Sequence, residues 1–227
     1  MARTEWLKRV SIFRDLEPAS LAGLESLVKE RSFDRDALIV GQEDAGDSLY
    51  VLTDGRVKVV LYGPSGREVI LSVFKPGDFF GEMSLLDNEP RSANVIALED
   101  SRLLVLDRAS FGRHLAANPK TALNVLAEMS KRLRRADAVI GNLALIDVYG
   151  RVARYLRELA RTDGKETPEG FEITKRPTQA EIAGMIGTSR ETVSRALSEF
   201  QRRGFLDMTG KKIVLRHGFE TDDHDAN

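Results

Sequence analysis

Two stretches of this 227-residue chain combine residue types suited to binding chemistry. The first is Phe80-Gly81-Glu82-Met83-Ser84-Leu85-Leu86, followed by Pro90-Arg91-Ser92-Ala93. Gly81 lets the backbone turn and approach an anion closely. A short helix over 82–86 would aim its N–H groups and positive dipole end at a phosphate. Arg91 can pair with that phosphate through two N–H donors. Ser92 can add a hydroxyl, and Glu82 is an acceptor suited to a sugar hydroxyl. Taken singly, Arg91 also fits a surface salt bridge, and Glu82 a carboxylate favoured by a helix start.

The second stretch is TQAEIAGMIGTSRETVSRALSEF, residues 178–200. Thr178-Gln179-Ala180-Glu181 is a capping-box pattern that opens a helix. Ile182, Met185 and Ile186 share one face of it, and Gly187 allows a tight turn. Thr188-Ser189-Arg190-Glu191 reads as a second capping box. In the helix that follows, Val193, Leu197 and Phe200 form the buried stripe. Ser189, Arg190, Glu191, Thr192 and Arg195 are then polar and outward. An Arg can donate two hydrogen bonds to guanine O6 and N7, and a Glu can accept from cytosine N4. Ser189, Thr192 and the helix N-terminus suit phosphates. Glu191 equally fits the closing member of a capping box, and Arg190 and Arg195 fit solvated surface charges.

The elements that must position these residues are legible in outline. Residues 1–30 read as short helices, one opening at Glu17-Pro18. Over 31–107, short apolar runs alternate with turn signals: 38–40, 49–52, 57–62, 68–74, 92–98 and 102–107. The punctuators include Gly41, Gly46, Gly55, Gly63-Pro64, Gly66 and Pro76-Gly77. That texture predicts a β-barrel or β-sandwich, with Gly41, Gly46, Gly55 and Gly77 serving turns. Beyond Pro119, Ala122, Leu126, Met129, Leu133, Ala136, Ile140 and Leu143 repeat in threes and fours, as in a coiled-coil seam. A helix packed on its own domain is the alternative. Residues 149–161 predict another amphipathic helix. FEITK at 171–175, the helical pair over 178–202, and strands at 205–208 and 212–216 predict a winged helix–turn–helix.

Composition narrows the function classes. There are no cysteines, which excludes disulfides, Cys-ligated zinc and Cys-ligated iron–sulfur clusters. His114, His217 and His224 are scattered, and no catalytic or metal-ligating constellation appears, so no enzyme is expected. No run of about 18 apolar residues occurs, and the first residues lack a signal peptide's apolar stretch. No membrane partner and a cytoplasmic location are therefore expected. The net charge of −1 hides a division. Residues 149–218 hold 14 Lys and Arg against nine acids, net +5, whereas 219–227 hold four acids. A basic region of that kind suits double-stranded DNA.

The two motifs, in this order and spacing, resemble the CRP/FNR superfamily of bacterial transcription regulators, over about residues 10–218. Ser189 to Arg195 stands where the family has its Ser-Arg-Glu-Thr-Val-x-Arg reading helix. The resemblance implies an α+β fold: a jelly-roll-like cyclic-nucleotide-binding β-roll (1–118), a dimerisation helix (119–145), a winged helix–turn–helix (146–218) and an acidic tail (219–227). It implies that Thr178, Gln179, Ser189, Arg190, Glu191, Thr192 and Arg195 contact a TGTGA-like palindrome as a homodimer. It also implies that Gly81, Glu82, Met83, Ser84, Arg91 and Ser92 hold a cyclic nucleotide, cyclic AMP first. RNA polymerase is a further partner it suggests. The purine side departs from the best-known pattern. Ala136-Asp137 stands where a Thr-Ser pair precedes Gly-Asn-Leu-Ala, here Gly141-Asn142-Leu143-Ala144. Ala136 has no side-chain hydrogen bond to offer. Asp137 can accept from an adenine amino group across a dimer, and it repels ligands that present acceptors. Cyclic GMP, cyclic di-GMP and ligand-free action stay open, as does a regulatory module of a signalling enzyme.

Overall fold

The computed structural model describes residues 3–64, 66–210 and 212–219. The chain divides into two compact units at Ala136/Asp137. In the first, α1 (Arg3–Arg9) and α2 (Pro18–Glu25) precede the sheets, α2 opening on Pro18 as expected. Then come β1 (Lys29–Phe33), β2 (Leu38–Val40), β3 (Ser48–Asp54), β4 (Val57–Tyr62), β5 (Glu68–Phe74) and β6 (Phe79–Phe80). The short α3 (Glu82–Asp87) follows, then β7 (Asn94–Ala97), β8 (Ser101–Asp107) and α4 (Arg108–Ala117).

Two antiparallel sheets result, ordered β1-β8-β3-β6 and β2-β7-β4-β5. Their facing sides bury Val40, Tyr50, Leu52, Val57, Phe74, Phe80, Val95 and Leu103. A second core joins the outer face of the first sheet to α1, α2, α4 and Val125. β1 and β6 lie outside the sequence expectation. Four of the five β1 residues are exposed, so β1 shows no alternation, and pairing with β8 makes it a strand.

The long α5 (Pro119–Leu145) carries two faces. Thr121 and Val125 are buried, and Met129 packs against the second core. This corrects the seam: Met129 belongs to the helix's own domain, because the first half of α5 must cover the β-roll. Leu126, Leu133 and Ile140, spaced by seven, are each more than 60% exposed. At the α4–α5 junction, His114 Nε2 lies 3.1 Å from Thr121 Oγ1 in a buried contact.

The second unit holds α6 (Val148–Asp163), β9 (Lys165–Thr167), β10 (Gly170–Ile173), α7 (Gln179–Ile186), α8 (Arg190–Arg202), β11 (Leu206–Thr209) and β12 (Lys212–Arg216). Its antiparallel sheet is ordered β11-β12-β10-β9. Val152, Leu156, Ile182, Val193, Leu197 and Leu206 pack in one core. The α7–α8 pair with a following hairpin is a winged helix–turn–helix. Phe219, expected in the tail, is instead buried in that core against Phe200 and Phe205, and the acidic residues of 220–227 lie outside the described residues.

Candidate functional site

Gly81 caps α3 in a left-handed conformation, φ 86°. A Cβ there would stand 2.7 Å from Arg91 Nη1 and 2.8 Å from the Ser48 carbonyl oxygen. Only glycine therefore lets the guanidinium lie against this backbone. Arg91 is buried, and its Nη1 and Nη2 donate to the carbonyls of Gly81 at 2.7 Å and Ser48 at 2.8 Å. The ring of Tyr50 lies beneath it, 5.8 Å from Cζ to centroid. Its ion-pair contact is distant: Asp47 lies 4.0 Å away, with a side chain 84% exposed. A cation fixed by neutral carbonyls is fit to receive an anion.

Glu82 is buried, and its two oxygens differ. Oε1 accepts from Arg132 Nη1 at 2.7 Å. Oε2 is buried without a hydrogen-bond partner. Burial pushes the carboxyl above its ordinary range, against the lowering influence of Arg132. An unpaired buried acceptor of this kind suits a ligand hydroxyl. Arg132, on α5, also donates to the Phe79 carbonyl at 2.7 Å and lies over the rings of Phe74 and Phe79. Sequence reasoning missed Arg132, because it stands 50 residues from Glu82 in a run of charged helix positions. A cavity of about 250 Å³ adjoins it, lined in part by Ser72, Lys75, Glu128 and Arg135.

Ser84 lies buried under the turn that carries Gly46. A Cβ on Gly46 would come 2.1 Å from Ser84 Cβ, so that glycine allows a close approach as well as a turn. Met83 is exposed, with Sδ 4.0 Å from Ser92 Oγ. The structure thus groups Gly81, Ser84 and Arg91 around the 46–48 turn, with Glu82 paired to Arg132 and with Met83 and Ser92 exposed. Ala136 and Asp137 follow Arg132 along α5 and are exposed.

In the second unit, the Thr178 box is complete. Thr178 Oγ1 accepts from Glu181 N–H at 3.2 Å, and Glu181 Oε2 accepts from Thr178 N–H at 2.6 Å. Gly187 ends α7 at φ 70°, where an added Cβ would meet Leu143 Cδ2 at 3.3 Å. The second box takes another form. Ser189, not Thr188, caps α8, and its Oγ accepts from Thr192 N–H at 3.2 Å. Glu191 is thereby the second helical residue and is exposed. Its own backbone N–H, then Ser189, then Arg190 and Arg195 hold its carboxyl below the usual range. Arg190 and Arg195 are exposed and form no ion pair among the described residues. Arg202 and Arg203, by contrast, both pair with Glu199, whose carboxyl falls to about 2. Thr178 is exposed and Gln179 half-buried at the neighbouring helix start.

An anion-fit site in one unit and a winged helix–turn–helix in the other fit the class of ligand-responsive DNA-binding transcription regulators. Residues 30–118 match the cyclic nucleotide-binding domain family, and residues 150–217 match the Crp-like helix-turn-helix domain. The CRP-like cAMP-activated global transcriptional regulator of Mycobacterium tuberculosis is 34% identical over 211 residues, 93% of this chain and 94% of that protein. The cyclic AMP receptor protein of Thermus thermophilus is 34% identical, covering 92% and 94%. Among solved structures, Thermus thermophilus catabolite activator protein superposes with a TM-score of 0.55 at 33% identity, covering 91% and 93%. The c-di-GMP-responsive regulator CLP of Xanthomonas campestris shares the fold, with a TM-score of 0.78 at 24% identity, covering 88% and 99%. The chain belongs to the CRP/FNR family of transcription regulators. Among the described residues, no helix is long and apolar enough to cross a membrane.

Proposed function

We propose that this regulator is a cytoplasmic homodimer whose effector is cyclic AMP and whose operator is a palindrome of TGTGA-like half-sites. The observation that carries the effector reading is the buried pair of Arg91, fixed on two carbonyls, and Glu82, with one oxygen unpaired. Arg91 would hold the cyclic phosphate, with Ser92 at the open edge. Glu82 Oε2 would accept from the ribose 2′-hydroxyl. Met83 and Ser84 would complete the cradle by shaping its backbone, and Ala136-Asp137 would face the purine. Two relatives named for cyclic AMP, each 34% identical, support that choice of nucleotide.

On DNA, Arg190, Glu191 and Arg195 would read base edges, while Thr178, Gln179, Ser189 and Thr192 hold phosphates. Two recognition helices must lie about 34–36 Å apart to enter successive major grooves. Arg132 gives the effector a route to control. It joins Glu82 to α5, the helix whose exposed apolar stripe suits a second copy. A ligand that strengthens one arrangement of two such helices shifts the population toward it, and one that binds both equally shifts nothing. RNA polymerase is the partner through which bound dimers would act. The reading assigns binding and no turnover, so cyclic AMP incubated with the protein should be recovered intact.

Calorimetry with cyclic AMP, cyclic GMP and cyclic di-GMP tests the effector, followed by operator binding with each. Cyclic AMP should bind most tightly and raise operator affinity, and Arg91→Ala should weaken cyclic AMP binding and reduce its effect on the operator. Tighter binding of a guanine nucleotide would transfer the effector role to it, through Asp137. Equal operator affinity with and without all three would overturn ligand control.

A further inference from the structure

Arg108, the first residue of α4, lies outside both motifs and yet makes five hydrogen bonds to α3, its Asn88 cap and the 46–47 turn. Its Nη2 donates to the Ser84 carbonyl at 2.8 Å and to the Gly46 carbonyl. Its Nη1 donates to Asn88 Oδ1 and, at 3.5 Å, to the Leu85 carbonyl. Its own N–H donates to the Asp47 carbonyl at 2.8 Å. Three segments therefore meet on one residue: the 46–47 turn, the body of α3, and the Asn88 cap that ends α3 at φ 63°.

The acceptors have a common origin. A helix of six residues leaves its last carbonyls without partners. Ser84 and Leu85 supply two of them, and Arg108 satisfies both. The same fork holds Gly46, which must approach Ser84 so closely that a Cβ has no room. Two residues on, Ser48 offers the carbonyl that holds Arg91 Nη2. The position of the Arg91 guanidinium thus depends on the 46–48 turn, and the place of that turn against α3 depends on Arg108. Among the described residues, Arg108 forms no ion pair, and its recorded acceptors are carbonyl and amide oxygens.

We propose that Arg108 is a positioning residue for the effector. It clamps the 46–48 turn to α3 and so sets the geometry in which Arg91 meets the phosphate. The role requires the planar fork of arginine. A lysine ammonium keeps the charge but cannot span carbonyls from two segments in one plane.

The inference rests on the cyclic-nucleotide reading for its affinity arm, so a second arm works without ligand. Hydrogen exchange of the ligand-free full chain should show faster exchange at 44–48 and 82–91 together in Arg108→Gln, with β8 unchanged. Unchanged exchange in either segment would overturn the clamp. With cyclic AMP as probe, Arg108→Gln should weaken binding roughly tenfold, and Arg108→Lys should weaken it comparably. Full affinity in Arg108→Lys would reduce Arg108 to a charge and overturn the proposal. In the Arg91→Ala background, Arg108→Gln should have no further effect on cyclic AMP binding, because the two act in series. An equal loss in both backgrounds would also overturn it. If the wild type binds no cyclic nucleotide, the effector reading fails, and the exchange arm alone decides the role of Arg108.

Discussion

Glu82 is an ionisable group taken out of water with only one of its oxygens paired. Because burial raises its carboxyl above the unfolded value, the folded chain holds the proton more tightly than the unfolded chain. The stabilisation is fully present below the unfolded pKa and is lost as pH rises through the folded one. The ligand-free wild type should therefore gain stability relative to Glu82→Gln as pH falls from neutral toward the ordinary range of a free glutamate carboxyl. Urea unfolding of both proteins across that range checks this, and a constant difference would exclude it. On the recognition helix, Arg190 lacks the carboxylate partner that holds Arg202 and Arg203. Arg190→Ala should cost about 1–3 kcal/mol at a single base pair and relax the choice there. Binding to operators varied one position at a time reads this out, and a uniform loss would make Arg190 a phosphate contact instead.

At the scale of elements, α5 is where sequence and structure part most instructively. The 3-4 repeat was legible, but a repeat does not say which neighbour a helix face meets. Thr121, Val125 and Met129 turn to the β-roll, and Leu126, Leu133 and Ile140 turn outward. Burying a leucine stabilises by roughly 1.5–3 kcal/mol, so a stripe of exposed ones is a strong drive to associate. In the proposed homodimer, Leu133→Asp should give monomers and abolish operator binding while leaving the β-roll folded. Sedimentation together with calorimetry on cyclic AMP separates these outcomes. The helix–turn–helix was legible almost residue by residue, since caps and a left-handed glycine act within one or two turns. The shift of the α8 cap from Thr188 to Ser189 is small in space. It nonetheless makes Glu191 the second residue of α8 rather than the third, with its side chain exposed.

For the whole molecule, net charge is the coarsest quantity and the most misleading. A sum of −1 covers a basic region of +5 at 149–218 and four acids within 219–227. Like charges on tail and DNA repel, and salt screens that repulsion. Deleting 220–227, which spares the buried Phe219, should raise operator affinity at low salt and steepen the dependence of log affinity on log salt. Titrations at several salt concentrations measure the slope, and an unchanged slope would show that the tail takes no part.

The sequence alone determined the two binding motifs, the strand-rich first half, the long helix and the winged helix–turn–helix. These follow from signals carried by near neighbours: glycine at left-handed turns, capping residues, and the period of apolar side chains. Tertiary structure alone decided which partners the motif residues meet. Arg132 reaches Glu82 across 50 positions, and Arg108 reaches Gly46 across 62. β1, with no apolar alternation of its own, is a strand because β8 offers it hydrogen bonds. Such pairings leave no local trace. A charged side chain in a helix looks the same in sequence whether it faces water or fastens a distant turn, and only closure of the two sheets brings donor and acceptor together.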